Sequence, residues 1–97
     1  MSPEVRRHPR RRDDVWLRAR GTENAVFDPA TGSLHLLNET ARALWELCDG
    51  RTTPDEMVRA ICELSGLPDE VVTEDVHRTL AEFETLGLLK SEGMGDS

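Results

Sequence analysis

The stretch SLHLLNETARALWELCDG, Ser33 to Gly50, limits what this chain can fold into more than any other. Its first five residues alternate in the manner of a short strand. Asn38 is then a good N-cap, and Ala41, Leu44, Trp45 and Cys48 recur on one face of the helix it starts. The strand leads directly into the helix, which places one edge of its sheet beside helical surface. Asp49-Gly50 ends the helix, since Gly readily supplies the left-handed C′ residue.

Upstream, the strand potential of Val15–Arg20 and of Asn24–Asp28 is separated by a Gly-Thr-Glu turn. In Asp28–Gly32, Pro29 presets φ and Gly32 accepts a positive φ, so a second tight turn leads into Ser33–Leu37. Three strands joined this way form a small antiparallel sheet. Downstream, Thr53 caps a second helix, Pro54 occupies its first position and Glu56 completes a capping box. Met57, Ile61 and Leu64 form that helix's apolar stripe, and Gly66 closes it. A third helix runs from near Pro68 to Gly87 with Val72, Val76, Leu80 and Phe83 on one face. The order βββααα is an α+β domain with helices on one face of the sheet, in a winged-helix-like arrangement. Its expected limits are residues 14–91, between a disordered basic arm (1–13) and a disordered tail (92–97). The pattern does not decide whether Leu34 and Leu36 or His35 and Leu37 face the core, because both pairs contain leucine.

At 97 residues the chain is one domain with no room for a deep catalytic cleft. It has no Gly-rich phosphate loop, no G-x-S-x-G and no H-E-x-x-H. His8, His35 and His77 are scattered, and Cys48 and Cys62 lack zinc-ligand spacing. Both cysteines read as core thiols in a reducing cytoplasm. Asp55/Glu56 and Asp69/Glu70 sit at helix starts, where the macrodipole accounts for them. The expectation is a protein with no catalytic residues, no metal and no cofactor. No apolar run approaches the roughly 20 residues of a membrane span, so a cytoplasmic location is expected.

Charge is unevenly spread. Residues 1–20 carry seven Arg against three acids, whereas the remainder carries five bases against sixteen acids, giving −7 overall. The arm RRHPRRR could touch nucleic acid, which makes a winged-helix nucleic-acid-binding regulator the alternative reading. A recognition helix needs bases to approach a duplex. The third helix instead has Asp69, Glu70, Glu74, Asp75, Glu82 and Glu84 against Arg78. Peptide binding fits better: a three-stranded sheet has open edges to which an extended chain can add. On the third helix, Val71 and Leu86 widen the apolar arc towards Asp75, Thr79 and Glu82, as a half-exposed groove wall or a solvated core rim would do.

The junction LHLLNETA, the run LCDG, the Thr53-led helix, Asp75-Val76 and LGLL (Leu86–Leu89) stand in an order and spacing that resemble the PqqD family. These are small peptide chaperones of pyrroloquinoline quinone synthesis, related to recognition elements for ribosomally made, modified peptides (RiPPs). The resemblance implies that a precursor's leader peptide docks as an added strand on the third strand, in a groove walled by the third helix. Carried over by position, the peptide-binding residues are Ser33, Leu34, His35, Leu36, Leu37, Val72, Asp75, Val76, Arg78, Thr79, Glu82, Phe83 and Leu86. Asp75 is the first expected polar contact, and Arg78 would meet either an acidic leader residue or its helix neighbours Glu74 and Glu82. A modifying enzyme, often a radical S-adenosylmethionine maturase, is the implied second partner, with the chain itself a monomer or weak dimer. The turn Phe27–Gly32 departs from the Tyr-Pro-Glu-like turn common in the family, which points to a paralogue serving another peptide pathway.

Overall fold

The computed structural model describes residues 8–90; the expected tail 92–97 and the first seven residues of the arm lie outside the described residues. Three strands, β1 (Trp16–Arg20), β2 (Glu23–Asp28) and β3 (Ser33–Leu37), precede three helices, α1 (Glu39–Leu47), α2 (Pro54–Ser65) and α3 (Asp69–Thr85). The sheet is antiparallel throughout, in the order β1-β2-β3. Gly21, at φ +60° directly after Arg20, allows the two-residue reversal between β1 and β2 that pairs Arg20 with Glu23. Gly32, at φ +73°, closes the longer turn by donating its N–H to the Asp28 carbonyl at 2.8 Å.

Register settles which face of β3 turns inward. Val26, wholly buried, lies opposite His35, and Asn24 lies opposite Leu37, so Ser33, His35 and Leu37 share the helix-facing side. Leu34 and Leu36 point to the outer face and are 56% and 72% exposed. Asn38 caps α1 by accepting the Ala41 N–H at 2.8 Å, and Arg42 of that helix reaches back to the Asn24 side chain at 3.3 Å. The strand-to-helix junction is thereby tied to the middle strand.

The core contains Val26 of the sheet, Leu44, Trp45 and Cys48 of the first helical segment, Met57 and Ile61 of α2, and Val72, Val76, Leu80 and Phe83 of α3. Trp45 and Phe83 meet edge to face at 5.3 Å. The capping box at Thr53 and Glu56 is formed in both directions. Leu64, expected on the α2 stripe, is 74% exposed. The buried arc of α2 continues from Met57 and Ile61 towards Val58 and Cys62, which pack against the core, and leaves Leu64 beyond the opposite margin.

The arm expectation is corrected over its described part. Pro9 is fully buried, and residues 9–12 run between the exits of two helices. Gly50 donates to the Pro9 carbonyl and Arg11 to the Cys48 carbonyl, while Arg12 donates to Leu88 and Lys90 to Arg10. The Arg11 guanidinium also donates to the carbonyls of Trp45, Glu46 and Cys48 at 3.1–3.2 Å, so it caps the C-terminal end of α1. Arg11 and Arg12 are therefore structural rather than a free cationic patch, and that weakens the arm as a nucleic-acid contact.

Candidate functional site

Beyond β3 no further strand pairs among the described residues, so one margin of the sheet is open. The Gly32-to-Asp28 hydrogen bond aims the backbone groups of Asp28 at β3. In an antiparallel strand this direction alternates from residue to residue. Asp28, Val26 and Asn24 therefore bond towards β3, and on β3 it is Leu34 and Leu36 that turn N–H and C=O outward. Those outward groups are what an added strand would use.

α3 flanks this margin. It packs on α2 and α1, and α1 packs against β3. The space between is a groove of about 710 Å³ lined by Leu34, His35, Leu36, Arg78, Ala81, Glu82, Thr85 and Leu86. The five α3-side residues recur at three- and four-residue steps and so form one helix face. That face borders the buried one, which explains why Leu86 remains 44% exposed although it is apolar. Chemically the groove combines outward main-chain donors and acceptors, an apolar floor at Ala81 and Leu86, and one cation and one carboxylate, Arg78 and Glu82.

Six of the residues expected from the sequence thus come together here: Leu34, His35, Leu36, Arg78, Glu82 and Leu86. Val72, Val76 and Phe83 do not. They are almost fully buried, because they form the centre of the α3 arc that packs into the core. Thr79 is likewise buried, and Leu37 turns inward against the core. Ser33 sits at the start of β3 opposite Asp28, outside the groove lining. Asp75 lies one turn before the lining and is engaged by Arg78 in a close ion pair, rather than Arg78 pairing with Glu74 or Glu82. Ala81 and Thr85 were missed. Their positions, three residues beyond Arg78 and Glu82 on the same face, were the available signal.

The thiols lie elsewhere. Cys48 is fully buried, and burial pushes its pKa up to about 12. Cys62 packs against the core but, unlike Cys48, is only partly buried, and it donates to the Asp69 carboxylate at 3.2 Å, which raises its pKa. Among the described residues no His, Cys, Asp and Glu cluster could hold a metal ion, and no helix is long and apolar enough to cross a membrane.

An α+β domain with winged-helix-like order, an open sheet margin and a helix beside it is the class that this fold and site define. The family model for coenzyme PQQ synthesis protein D (PqqD) matches residues 23–89, and the chain belongs to that family. Its fold is similar to that of TbiB1 in complex with the TbiA(beta) leader peptide, with TM-score 0.74, 23% identity, and 86% of this chain and 96% of that chain covered. A lasso peptide synthetase B1 complexed with the leader peptide is similar at TM-score 0.75 and 13% identity, covering 87% and 99%. The PqqD truncation of Methylobacterium extorquens PqqCD, a stand-alone RiPP recognition element solved by solution NMR, is similar at TM-score 0.71 and 21% identity, covering 86% and 88%. No curated protein matches the chain.

Proposed function

We propose that the chain is a leader-peptide-binding chaperone that presents a ribosomally made precursor peptide to its modifying enzyme. The observation that carries this reading is the open β3 margin, with the backbone groups of Leu34 and Leu36 turned outward, beside the groove face of α3. A leader segment adds there as a fourth strand. Its main chain bonds to β3, which supplies affinity with little sequence preference, and its inward side chains meet Ala81, Glu82, Thr85 and Leu86, which supply selection. Membership of the PqqD family supports this reading, as do the two structural relatives whose descriptions name a bound leader peptide.

Within this reading Asp75 acts through Arg78. It holds the guanidinium over one end of the groove, where an acidic leader residue would compete with it. The chain carries out no chemistry of its own; the modifying enzyme does. The test is a titration of the full chain with fluorescently labelled leader peptides of ribosomally made precursors, followed by anisotropy. Saturable micromolar or tighter binding, about −8 kcal/mol or better, is expected. Binding that collapses between about 50 and 200 mM salt, as phosphate-driven association does, would contradict strand addition.

A further inference from the structure

Among the described residues no helix lies over the outer face of the sheet, where large apolar side chains stand exposed beside charged ones. Register puts Trp16, Phe27 and Leu34 in one cross-strand row and Arg18, Ala25 and Leu36 in the next. Trp16 and Phe27 meet at 5.3 Å, and the Arg18 guanidinium lies 5.5 Å from the Trp16 ring centroid. Trp16 is nevertheless 50% exposed. The small side chain of Ala25 leaves a shallow hollow of about 430 Å³ lined by Arg18, Arg20, Leu34 and Leu36, with Glu23, the cross-strand neighbour of Arg20, as its one carboxylate. Single exposed apolar residues are ordinary, but a continuous apolar row across all three strands marks a contact surface.

Charge narrows the partner. The molecule carries −7, yet neither Arg18 nor Arg20 has a carboxylate within ion-pair distance among the described residues. An apolar partner surface rimmed by carboxylates complements this face. A second copy of the chain related by a two-fold axis complements it less well, since it brings the same net positive hollow, two arginines to one glutamate.

Leu34 and Leu36 belong both to this face and to the groove. A leader strand on β3 lays every second side chain beside them and extends both rows by one strand. The geometry points to a composite docking surface. The outer face around Trp16, Arg18 and Leu36, widened by the bound leader, receives an acidic-rimmed apolar patch of the modifying enzyme. This rests on the leader-binding reading above, and it makes the enzyme recognise the loaded chaperone in preference to the empty one.

The experiment uses the full chain, a leader peptide that it binds and the purified modifying enzyme that acts on that leader's precursor. Calorimetry measures enzyme affinity with and without saturating leader, and anisotropy measures leader affinity separately. Saturating leader should tighten enzyme binding, and Arg18→Glu with Arg20→Glu should weaken it about tenfold or more, with leader affinity held within about twofold. Trp16→Ser is the second variant, with thermal melts establishing that both proteins are folded. Unchanged enzyme affinity in both variants overturns the proposal. So does an equal loss of leader affinity, which would make the face a leader subsite, or wild-type self-association abolished by Trp16→Ser. Failure of the wild type to bind any leader titrated overturns both readings, whereas normal leader binding with unaltered enzyme binding overturns only this one.

Discussion

Arg12 and Asp28 form a two-pronged ion pair, Nη1 to Oδ2 and Nη2 to Oδ1 at 3.1 Å each, that fastens the chain entering the sheet to the turn leaving β2. Asp28 is 1% exposed, and its Oδ1 also accepts the Ala30 N–H at 3.0 Å. Arg12 further donates to the Gly87 carbonyl, so the pair joins the N-terminal segment, the sheet and the exit of α3. Burial works to raise the pKa of Asp28, but the Arg12 and Ala30 hydrogen bonds outweigh it and hold the carboxyl below its ordinary value. A depressed carboxylate stabilises the fold above its unfolded value, near ~4, and loses that contribution as pH falls through the folded value. Melting temperature should therefore drop on acidification below about pH 4. Asp28→Asn should melt lower than wild type at pH 7, and the gap should close at the acid end. A constant gap at all pH values would show that the ion pair is not its source.

Arg11 offers a separate test of the N-terminal segment. Its guanidinium donates to three carbonyls at the end of α1 that otherwise have no basic residue near them in the last turn. Charge-assisted bonds of this kind contribute about 1.5–3 kcal/mol. Arg11→Ala should lower urea stability by about 2 kcal/mol, and Arg11→Lys should recover only part, because a single ammonium cannot reproduce the fork. A deletion running through residue 12 would accordingly destabilise the fold and cannot serve as a test of nucleic-acid binding. Equal stability of Arg11→Ala and wild type would contradict the capping role.

Neighbouring prolines on β3 separate the open margin from the paired one. Leu36 turns its N–H to the open side, whereas His35 turns its own towards β2 opposite Val26. Proline is tolerated at an edge position whose donor faces outward and disrupts an internal ladder. Leu36→Pro should keep a near-native melt and lose about tenfold or more in leader affinity, the equivalent of one to two net hydrogen bonds. His35→Pro should unfold or melt far lower. The reverse ranking in thermal melts would mean that the opposite set of β3 groups faces outward.

These contrasts also show where sequence reasoning stopped. The caps at Asn38 and Thr53 involve partners three residues away, so local pattern was enough to find them. The facing of Leu34 and Leu36 depends on the pairing of β3 with β2, and a strand with leucine in both alternating sets carries no period to read. Arg11 and Arg12 strap down the segment by bonds across 16 to 75 residues, and a run of arginines beside prolines looks the same whether it is solvated or strapped down. On α3 the periodicity located the buried arc correctly, but Val72, Val76 and Phe83 were carried into the groove by family position although they lie at the centre of that arc. Ala81 and Thr85 gave no hydrophobic signal, and only their three-residue spacing from Arg78 and Glu82 pointed to them.

The two cysteines should differ sharply in reactivity. The thiolate is the reactive form, and burial keeps Cys48 protonated, with its pKa pushed up to about 12. Cys62 is partly accessible, and its hydrogen bond to Asp69 also disfavours ionisation. Iodoacetamide at mildly alkaline pH should label Cys62 slowly in the native protein and Cys48 only after unfolding, as read by peptide mass spectrometry. Asp69→Asn should speed the first reaction and leave the second unchanged. Native labelling of Cys48 at the rate of Cys62 would place that side chain outside the core.

Ala81 is the groove position at which size alone can be varied. It lies on the α3 face that lines the groove, not among the residues packed into the core. A bulky substitution there adds volume where the leader should lie, and the weaker helix propensity of tryptophan costs only about 0.5 kcal/mol at an exposed position. Ala81→Trp should change stability by no more than about 0.5 kcal/mol, the range of ordinary surface substitutions. Leader affinity should fall by at least about tenfold, because main-chain pairing with β3 requires the strand to pass this point. Ala81→Ser, which adds one atom, should bind nearly as well as wild type. A tryptophan variant that stays folded and binds leader with unaltered affinity would show that the peptide does not run between β3 and α3, and strand addition at this margin would have to be abandoned.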